Sequence, residues 1–297
     1  MIILSLETAE RLRLARFAEQ IRVTTMRTVA AYGEGHIGGA LSIADVLAVL
    51  YGRAMRVNPA APKDPDRDKL VLSKGHCGPA LYATLALKGY FPLEELSSIN
   101  RLGTRLPSHC DMNRTPGIDM STGSLGQGAS TAAGIALADK MKGRDAKTYL
   151  ILGDGECDEG QVWEMVLFAA QQRLGNLIAF IDWNHQQLDG YTKDVCRIDD
   201  FESILHAYGW RAVTVDGHDV EAISSAISHS QVDTGVPAAI VLNTVKGKGW
   251  AEAETRVPCH YMTISSAQLR AYEAVFAQRI ASIDAQIAQI PGKAGTL

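Results

Sequence analysis

No stretch of this sequence approaches the roughly 18–20 consecutive apolar residues that a membrane-spanning helix needs, so no membrane partner is expected. No apolar leader is expected either. After Met-Ile-Ile-Leu the charged residues Glu7, Glu10, Arg11 and Arg13 intervene, and a cytosolic protein is expected. Basic excess is also missing. With 29 Lys and Arg against 33 Asp and Glu, the formal charge is −4, which leaves no footprint for nucleic acid. Cysteine is sparse: five residues, an odd number without regular spacing, exclude a disulfide framework. Cys77 follows His76, Cys110 follows His109 and Cys259 precedes His260, but no CxxC or HxxxH spacing supports a zinc site, so reduced thiols are expected. Internal repeats, low-complexity tracts and Pro/Ser-rich linkers are absent, so nothing in the composition divides the chain. What remains, 46% hydrophobic and 21% charged over 297 residues, suits a globular protein with a full core.

The apolar pattern predicts a long amphipathic helix from Thr8 to Tyr32, with Leu12, Ala15, Ala18 and Ile21 on one stripe and Gly33 and Gly35 stopping it. A second helix is predicted from a Ser42 cap to Tyr51. The Pro- and charge-rich segment Asn58–Lys69 reads as a loop before a short strand, Leu70–Leu72. Tyr149–Leu152, Leu177–Asp182, Ala212–Val215 and Ala238–Leu242 are continuous apolar runs, each read as a fully buried strand. Between them Gly126–Met141, Glu159–Arg173 and Val220–Ser230 have helical length and period. The alternation predicts an α/β fold, a doubly wound, mostly parallel sheet with helices on both faces. A last helix, Ser265–Ile290, carries Leu269, Tyr272, Phe276, Ile280, Ile283 and Ile287 on one stripe, for self-packing or a partner, and a loose tail follows from Pro291.

Chemistry concentrates at Leu150-Ile-Leu-Gly153-Asp154-Gly155-Glu-Cys-Asp-Glu159-Gly160, where a buried strand runs into Gly-Asp-Gly and then a helix. Ligands of open α/β sheets sit at this carboxyl edge, and glycines there let backbone N–H groups approach a phosphate. The Asp154 carboxylate repels phosphate unless a cation stands between them, so a magnesium or calcium ion is implied. After 28 further residues, one helix and one strand, Asn184 ends the run Ile181-Asp182-Trp183-Asn184 and offers an amide oxygen. The backbone carbonyl of Gln186 can supply another, and diphosphate oxygens and water would complete an octahedron.

Gly-Asp-Gly, 28 residues and Asn resembles the thiamine diphosphate motif, and the surroundings resemble the N-terminal, diphosphate-binding half of transketolases. The likeness is carried by Gly35-His36-Ile-Gly-Gly-Ala-Leu-Ser42, Asp66-Arg-Asp-Lys-Leu-Val-Leu-Ser-Lys-Gly75-His76, Leu106-Pro-Ser-His109 and Ser121-Thr-Gly123-Ser-Leu125-Gly-Gln-Gly128. It extends through Gly175–Asn184, Leu188-Asp-Gly190 and Lys246-Gly-Lys-Gly249, covering about residues 10–262 in order. It implies metal ligation by Asp154, Asn184 and the Gln186 carbonyl, and contact of His76, Gly123, Ser124, Leu125, Gly155, Glu159, Leu188 and His260 with the cofactor. It also implies that His36, His76, His109 and His260 surround the reacting centre, where groups with a pKa near neutrality can move a proton off and onto a hydroxyl. Glu159 and Glu164 match glutamates at the family's subunit contact, while His185, His206, His218 and His229 fall outside the motifs and are expected to be structural.

The chain departs from the family pattern at Cys110, in place of a proline, at Tyr261, in place of a glycine, and at Ser124, where many members have proline. No second doubly wound unit follows residue 262. The resemblance thus implies a diphosphate domain at 1–262, a C-terminal helix at 263–290 and a tail at 291–297, with the pyrimidine-binding part on a separate chain of roughly 300 residues. The expected enzyme is a heterotetramer with two copies of each chain, which transfers a two-carbon ketol unit between sugars or sugar phosphates and is active only when assembled. The alternatives are an alpha subunit of a 2-oxo acid dehydrogenase, a relative of 1-deoxyxylulose-phosphate synthase, or a non-catalytic cofactor-binding subunit.

Overall fold

The apolar runs form one parallel sheet in the computed structural model, which describes residues 6–232 and 234–290. The tail from Pro291 onward lies outside the described residues. In chain order the first elements are α1 (Thr8–Tyr32), β1 (Glu34–His36), α2 (Gly38–Ser42), α3 (Ala44–Val49), β2 (Lys69–Leu72), α4 (Gly78–Leu87), α5 (Gln127–Met141) and β3 (Thr148–Gly153). Then come α6 (Gly160–Gln171), β4 (Leu177–Trp183), the small hairpin β5 (Gln186–Gln187) and β6 (Gly190–Tyr191), α7 (Thr192–Val195), α8 (Phe201–Ala207) and β7 (Arg211–Asp216). The last are α9 (Val220–Ser230), β8 (Ala238–Asn243), α10 (Ala251–Glu254), β9 (Tyr261–Thr263) and α11 (Ser266–Ala288).

The sheet order is β2-β3-β4-β8-β7, and every pairing is parallel. Successive side chains point to opposite faces, and both faces are covered. Leu70, Leu72, Tyr149, Ile151, Ile178, Phe180, Ile240 and Leu242 pack with α1, α3, α4 and α9. Val71, Leu150, Leu152, Ala179, Ile181, Ala239 and Val241 pack with α5, α6 and α8. Two buried faces explain why the runs are continuous rather than alternating.

Two sequence expectations need correction. The strand at 211–216 is an edge strand, bonded only to β8, and is partly exposed rather than fully buried. Ser42 does not cap a helix that runs to Tyr51. It closes the short α2, and its hydroxyl is committed to Gly39 O and Asp182. The other predicted helices and strands lie within two residues of the observed bounds. Gly33 ends α1 in the left-handed region, φ 105°, with its N–H on Val29 O at 3.1 Å. Ser265 and Gln268 form a capping box at the start of α11.

A third apolar cluster joins α1, α10, β9 and α11 through Met26, Val29, Trp250, Met262, Tyr272 and the fully buried Phe276. The stripe on α11 therefore packs on α1, with Tyr272 and Phe276 buried and Ile280, Ile283 and Ile287 half-buried. This holds β9 beside β1, with His36 opposite Tyr261 in the ladder. Among the described residues no helix is long and apolar enough to cross a membrane.

Candidate active site

The turns after β2, β3, β4 and β8 all open at the carboxyl edge of the sheet, at the point where strand order reverses between β4, β8 and β7. There they enclose a pocket of about 260 Å³. Its floor is Asp154, Gly155, Asn184 and Gln186, its sides are Lys74, His76 and Lys246, and His36, His109 and His260 close over it. Glycine is required at 155, because a Cβ there would stand 2.7 Å from that of Gln187.

Asp154 is buried, and each of its oxygens takes one backbone N–H, from Gly155 at 2.9 Å and from His185 at 2.6 Å. Burial and the neighbouring Asp182 carboxylate push its pKa up to about 7, against the pull of the Gly155 N–H, Lys246 and Lys74. The Asn184 amide donates Nδ2–H to Asp182 at 2.8 Å and accepts at Oδ1 from the Gln186 N–H at 3.2 Å. The Gln186 carbonyl accepts from the Lys246 ammonium at 2.8 Å and keeps its second lone pair. No group of three His, Cys, Asp or Glu side chains among the described residues is arranged to hold a metal. Asp154, Asn184 and Gln186 could offer one carboxylate, one amide oxygen and one carbonyl, hard oxygen chemistry of the kind magnesium or calcium takes.

The eight histidines divide sharply. His185 is 2.9 Å from Asn243 Oδ1, and His206 is 3.1 Å from the Trp210 carbonyl. His218 lies between Asp45 and the Val245 N–H, and His229 reaches the Ser225 carbonyl at 2.7 Å. Among the described residues no ring nitrogen of His36, His76, His109 or His260 has a hydrogen-bond partner, and His260 Nδ1 is buried without one. These four rings gather instead: His36 lies 5.3, 5.5 and 5.1 Å from His76, His109 and His260, and His76 lies 4.7 Å from His260. Burial first, then neighbouring His109 and Lys246, holds His36 down at about 4. Burial, then Lys246 and His36, holds His260 at about 3, and burial with Lys74 holds His76 well below the usual imidazole value. All three are neutral at pH 7, so each ring can both donate and accept.

This depression has a measurable consequence. Unfolded His260 takes up a proton near pH 6.5, whereas folded His260 does so only near 3. Between those values the unfolded state binds more protons, so the histidine costs stability as pH falls below 6.5. His260→Asn is therefore expected to gain on the wild type by about 1 kcal/mol between pH 7 and pH 5, discounted for the ring's partial exposure. Urea titrations at the two pH values measure it; a gap that does not change with pH contradicts it.

Of the other sequence-predicted residues, Gly123 lies against the His109 ring, while Leu125 and Leu188 line the pocket and stay exposed. Ser124, Glu159 and Glu164 are exposed, the glutamates at the start of α6 and one turn into it. Tyr261 stands edge-on to His36 at 5.0 Å, and Cys110 is buried. Sequence reasoning missed four charged residues. Lys74 and Lys246 lie inside the quoted Ser-Lys-Gly-His and Lys-Gly-Lys-Gly stretches. Asp182 holds Lys74, Ser42 and Thr244 as well as Asn184, and Glu156 binds Ser73 and the N–H groups of Gly126 and Gly153.

Residues 14–282 match the family described as transketolase, thiamine diphosphate binding domain. The chain is 50% identical over 262 residues to the 6-deoxy-6-sulfo-D-fructose transketolase subunit SqwG of Clostridium sp. (strain MSTE9), covering 88% of this chain and 95% of that one. It is 37% identical over 244 residues to an apulose-4-phosphate transketolase subunit of Phocaeicola vulgatus, covering 82% and 86%. Among solved structures, transketolase from Leishmania mexicana aligns with a TM-score of 0.83 at 28% identity, over 92% of this chain and 45% of that one. The Pichia stipitis transketolase complex with sedoheptulose-7-phosphate aligns with a TM-score of 0.81 at 30% identity, over 94% and 47%. The chain thus spans just under half the length of these solved transketolases. By sequence match, fold and pocket, the chain belongs to the transketolase family and comprises its thiamine diphosphate binding domain.

Proposed function

We propose that this chain is the cofactor-binding subunit of a two-component transketolase, which transfers a two-carbon ketol unit from a ketose to an aldose. One observation carries the reading: the oxygen atoms of Asp154, Asn184 and Gln186 share a pocket with four imidazoles that have no hydrogen-bond partner among the described residues. Thiamine diphosphate, when bound, supplies the electron sink for cleaving the carbon–carbon bond.

Asp154, Asn184 and the Gln186 carbonyl would hold magnesium or calcium, and the fit rests on a buried carboxylate whose oxygens each take one backbone N–H and which forms no ion pair among the described residues. Lys74 and Lys246 line the same pocket and would add positive charge beside a bound diphosphate. Gly123, Ser124, Gly155 and Glu159 would border the cofactor, with Leu125 and Leu188 against its ring. His36 and His109 would bind donor oxygens through their free ring nitrogens. His76 and His260 would touch cofactor and substrate and pass a proton between substrate hydroxyl and imidazole nitrogen. We read residues 1–262 as the diphosphate domain and 263–290 as its packed C-terminal helix.

Both subunit-type relatives are matched over nearly their whole lengths, and both are named as subunits. We therefore assign the rest of the enzyme to a separate chain of roughly 300 residues, in a heterotetramer with two copies of each. Exposed Glu159 and Glu164 would lie at that contact. The name of the 50% identical relative makes 6-deoxy-6-sulfo-D-fructose the first donor to try.

The test is calorimetric titration of thiamine diphosphate with magnesium into this chain alone and mixed with the protein encoded beside it, with ketose-dependent transfer followed in both. Transfer is expected only in the mixture. Robust turnover by this chain alone overturns the two-component assignment, and a mixture that neither binds cofactor nor forms a complex overturns the enzymatic one.

A further inference from the structure

Behind the pocket floor lies a carboxylate that no ligand can reach. Asp182, the penultimate residue of β4, is fully buried yet accepts four hydrogen bonds. Its Oδ1 accepts from the Thr244 hydroxyl at 2.6 Å. Its Oδ2 accepts from Ser42 Oγ at 2.7 Å, from the Lys74 ammonium, and from Asn184 Nδ2 at 2.8 Å. The donors come from α2 and from the turns after β2, β4 and β8, so one buried group ties together four of the segments that build the pocket.

An asparagine side chain has two ends of nearly equal size, and only its oxygen can bind a cation. Holding Nδ2 on Asp182 turns Oδ1 the other way, where its one partner among the described residues is the Gln186 N–H at 3.2 Å. Asn184 and Asp154 both line the pocket. We infer that Asp182 is the positioning residue of the metal site, selecting the amide orientation in which Asn184 offers oxygen. The inference rests on the reading of Asn184 as a metal ligand.

What the orientation requires of residue 182 is an acceptor, not a charge. An asparagine there can still accept from Asn184, Ser42 and Lys74 through its oxygen. Its NH2 would then meet the Thr244 hydroxyl, which can turn from donor to acceptor. Alanine offers neither group.

The probe is Mn2+ in the presence of thiamine diphosphate, with binding followed by electron paramagnetic resonance on the full chain mixed with its partner. Asp182→Ala is expected to weaken Mn2+ binding by about tenfold to a hundredfold, and Asp182→Asn to stay within about threefold of wild type. Circular dichroism of both variants should match the wild type. Equal weakening by both substitutions overturns the inference, since charge rather than orientation would then matter; wild-type affinity in Asp182→Ala overturns it as well. If the alanine chain does not fold, the asparagine chain decides: retained affinity supports the orienting role, and a loss of about tenfold or more overturns it. A wild-type chain that binds no Mn2+ is a different result, overturning the assignment of Asn184 as a ligand and the inference with it.

Discussion

Asp154→Ala is expected to bind thiamine diphosphate at least about a hundredfold more weakly than the wild-type chain and to lose its response to magnesium. Asp154 carries more free acceptor capacity than Glu156, the other carboxylate lining the pocket. Glu156 accepts from Ser73 and the Gly126 N–H on one oxygen and from the Gly153 N–H on the other. Asp154 gives up only one lone pair per oxygen, to Gly155 and His185, and keeps the rest for a cation. Its raised pKa, about 7, also fixes the pH dependence. A divalent ion binds the ionised form, so below pH 7 it must displace a proton, and wild-type affinity should fall as pH falls through that value. The variant should show no such slope. Calorimetry at pH 6, 7 and 8, in buffers of different ionisation enthalpy, reads both the affinity and the released proton. Magnesium-dependent binding that survives the substitution would remove Asp154 from the metal site.

How far the site could be read in advance depended on where each residue's partners lie in the sequence. Asp154 and Asn184 were legible because each directly follows a buried strand, and parallel neighbours bring such ends together. The four motif histidines were legible through the resemblance of their surroundings, though nothing local distinguishes His76 from His206. The distinction is three-dimensional: His206 satisfies its own ring within α8 and the residues after it, whereas His36, His76, His109 and His260 come from distant segments and face one another. Asp182 was lost inside an apolar run because its partners stand at 42, 74 and 244 as well as 184. Ser42 misled for the same reason. A serine before a helical pattern reads as a cap, but a buried carboxylate 140 residues away claims its hydroxyl. The exposure of β7 was hidden too, since the position of a strand within a sheet is set by topology rather than by its own residues.

His109→Ala, assayed in the complex with the partner chain, is expected to lower turnover by about 10²- to 10⁴-fold while leaving thiamine diphosphate affinity within about threefold. The loop that carries His109 is anchored on both sides. Leu106 and Cys110 are buried, Tyr82 donates to the Pro107 carbonyl at 2.9 Å, and the Thr122 N–H reaches the Cys110 carbonyl at 3.1 Å. The substitution therefore removes an imidazole and leaves its support in place. Among the described residues that imidazole has no hydrogen bond to lose, so a large effect on turnover with unchanged cofactor binding reports a bond made to substrate. His206→Ala supplies the contrast: it removes a half-exposed ring bonded to the Trp210 carbonyl and should leave turnover unchanged. His109→Asn separates the two tasks an imidazole can perform. An amide can hold a donor oxygen but cannot carry a proton, so substantial recovery with asparagine assigns His109 to binding, and no recovery assigns it to proton transfer. Wild-type turnover in the alanine variant would leave His109 outside the reaction, and the chemistry would then rest on His36, His76 and His260.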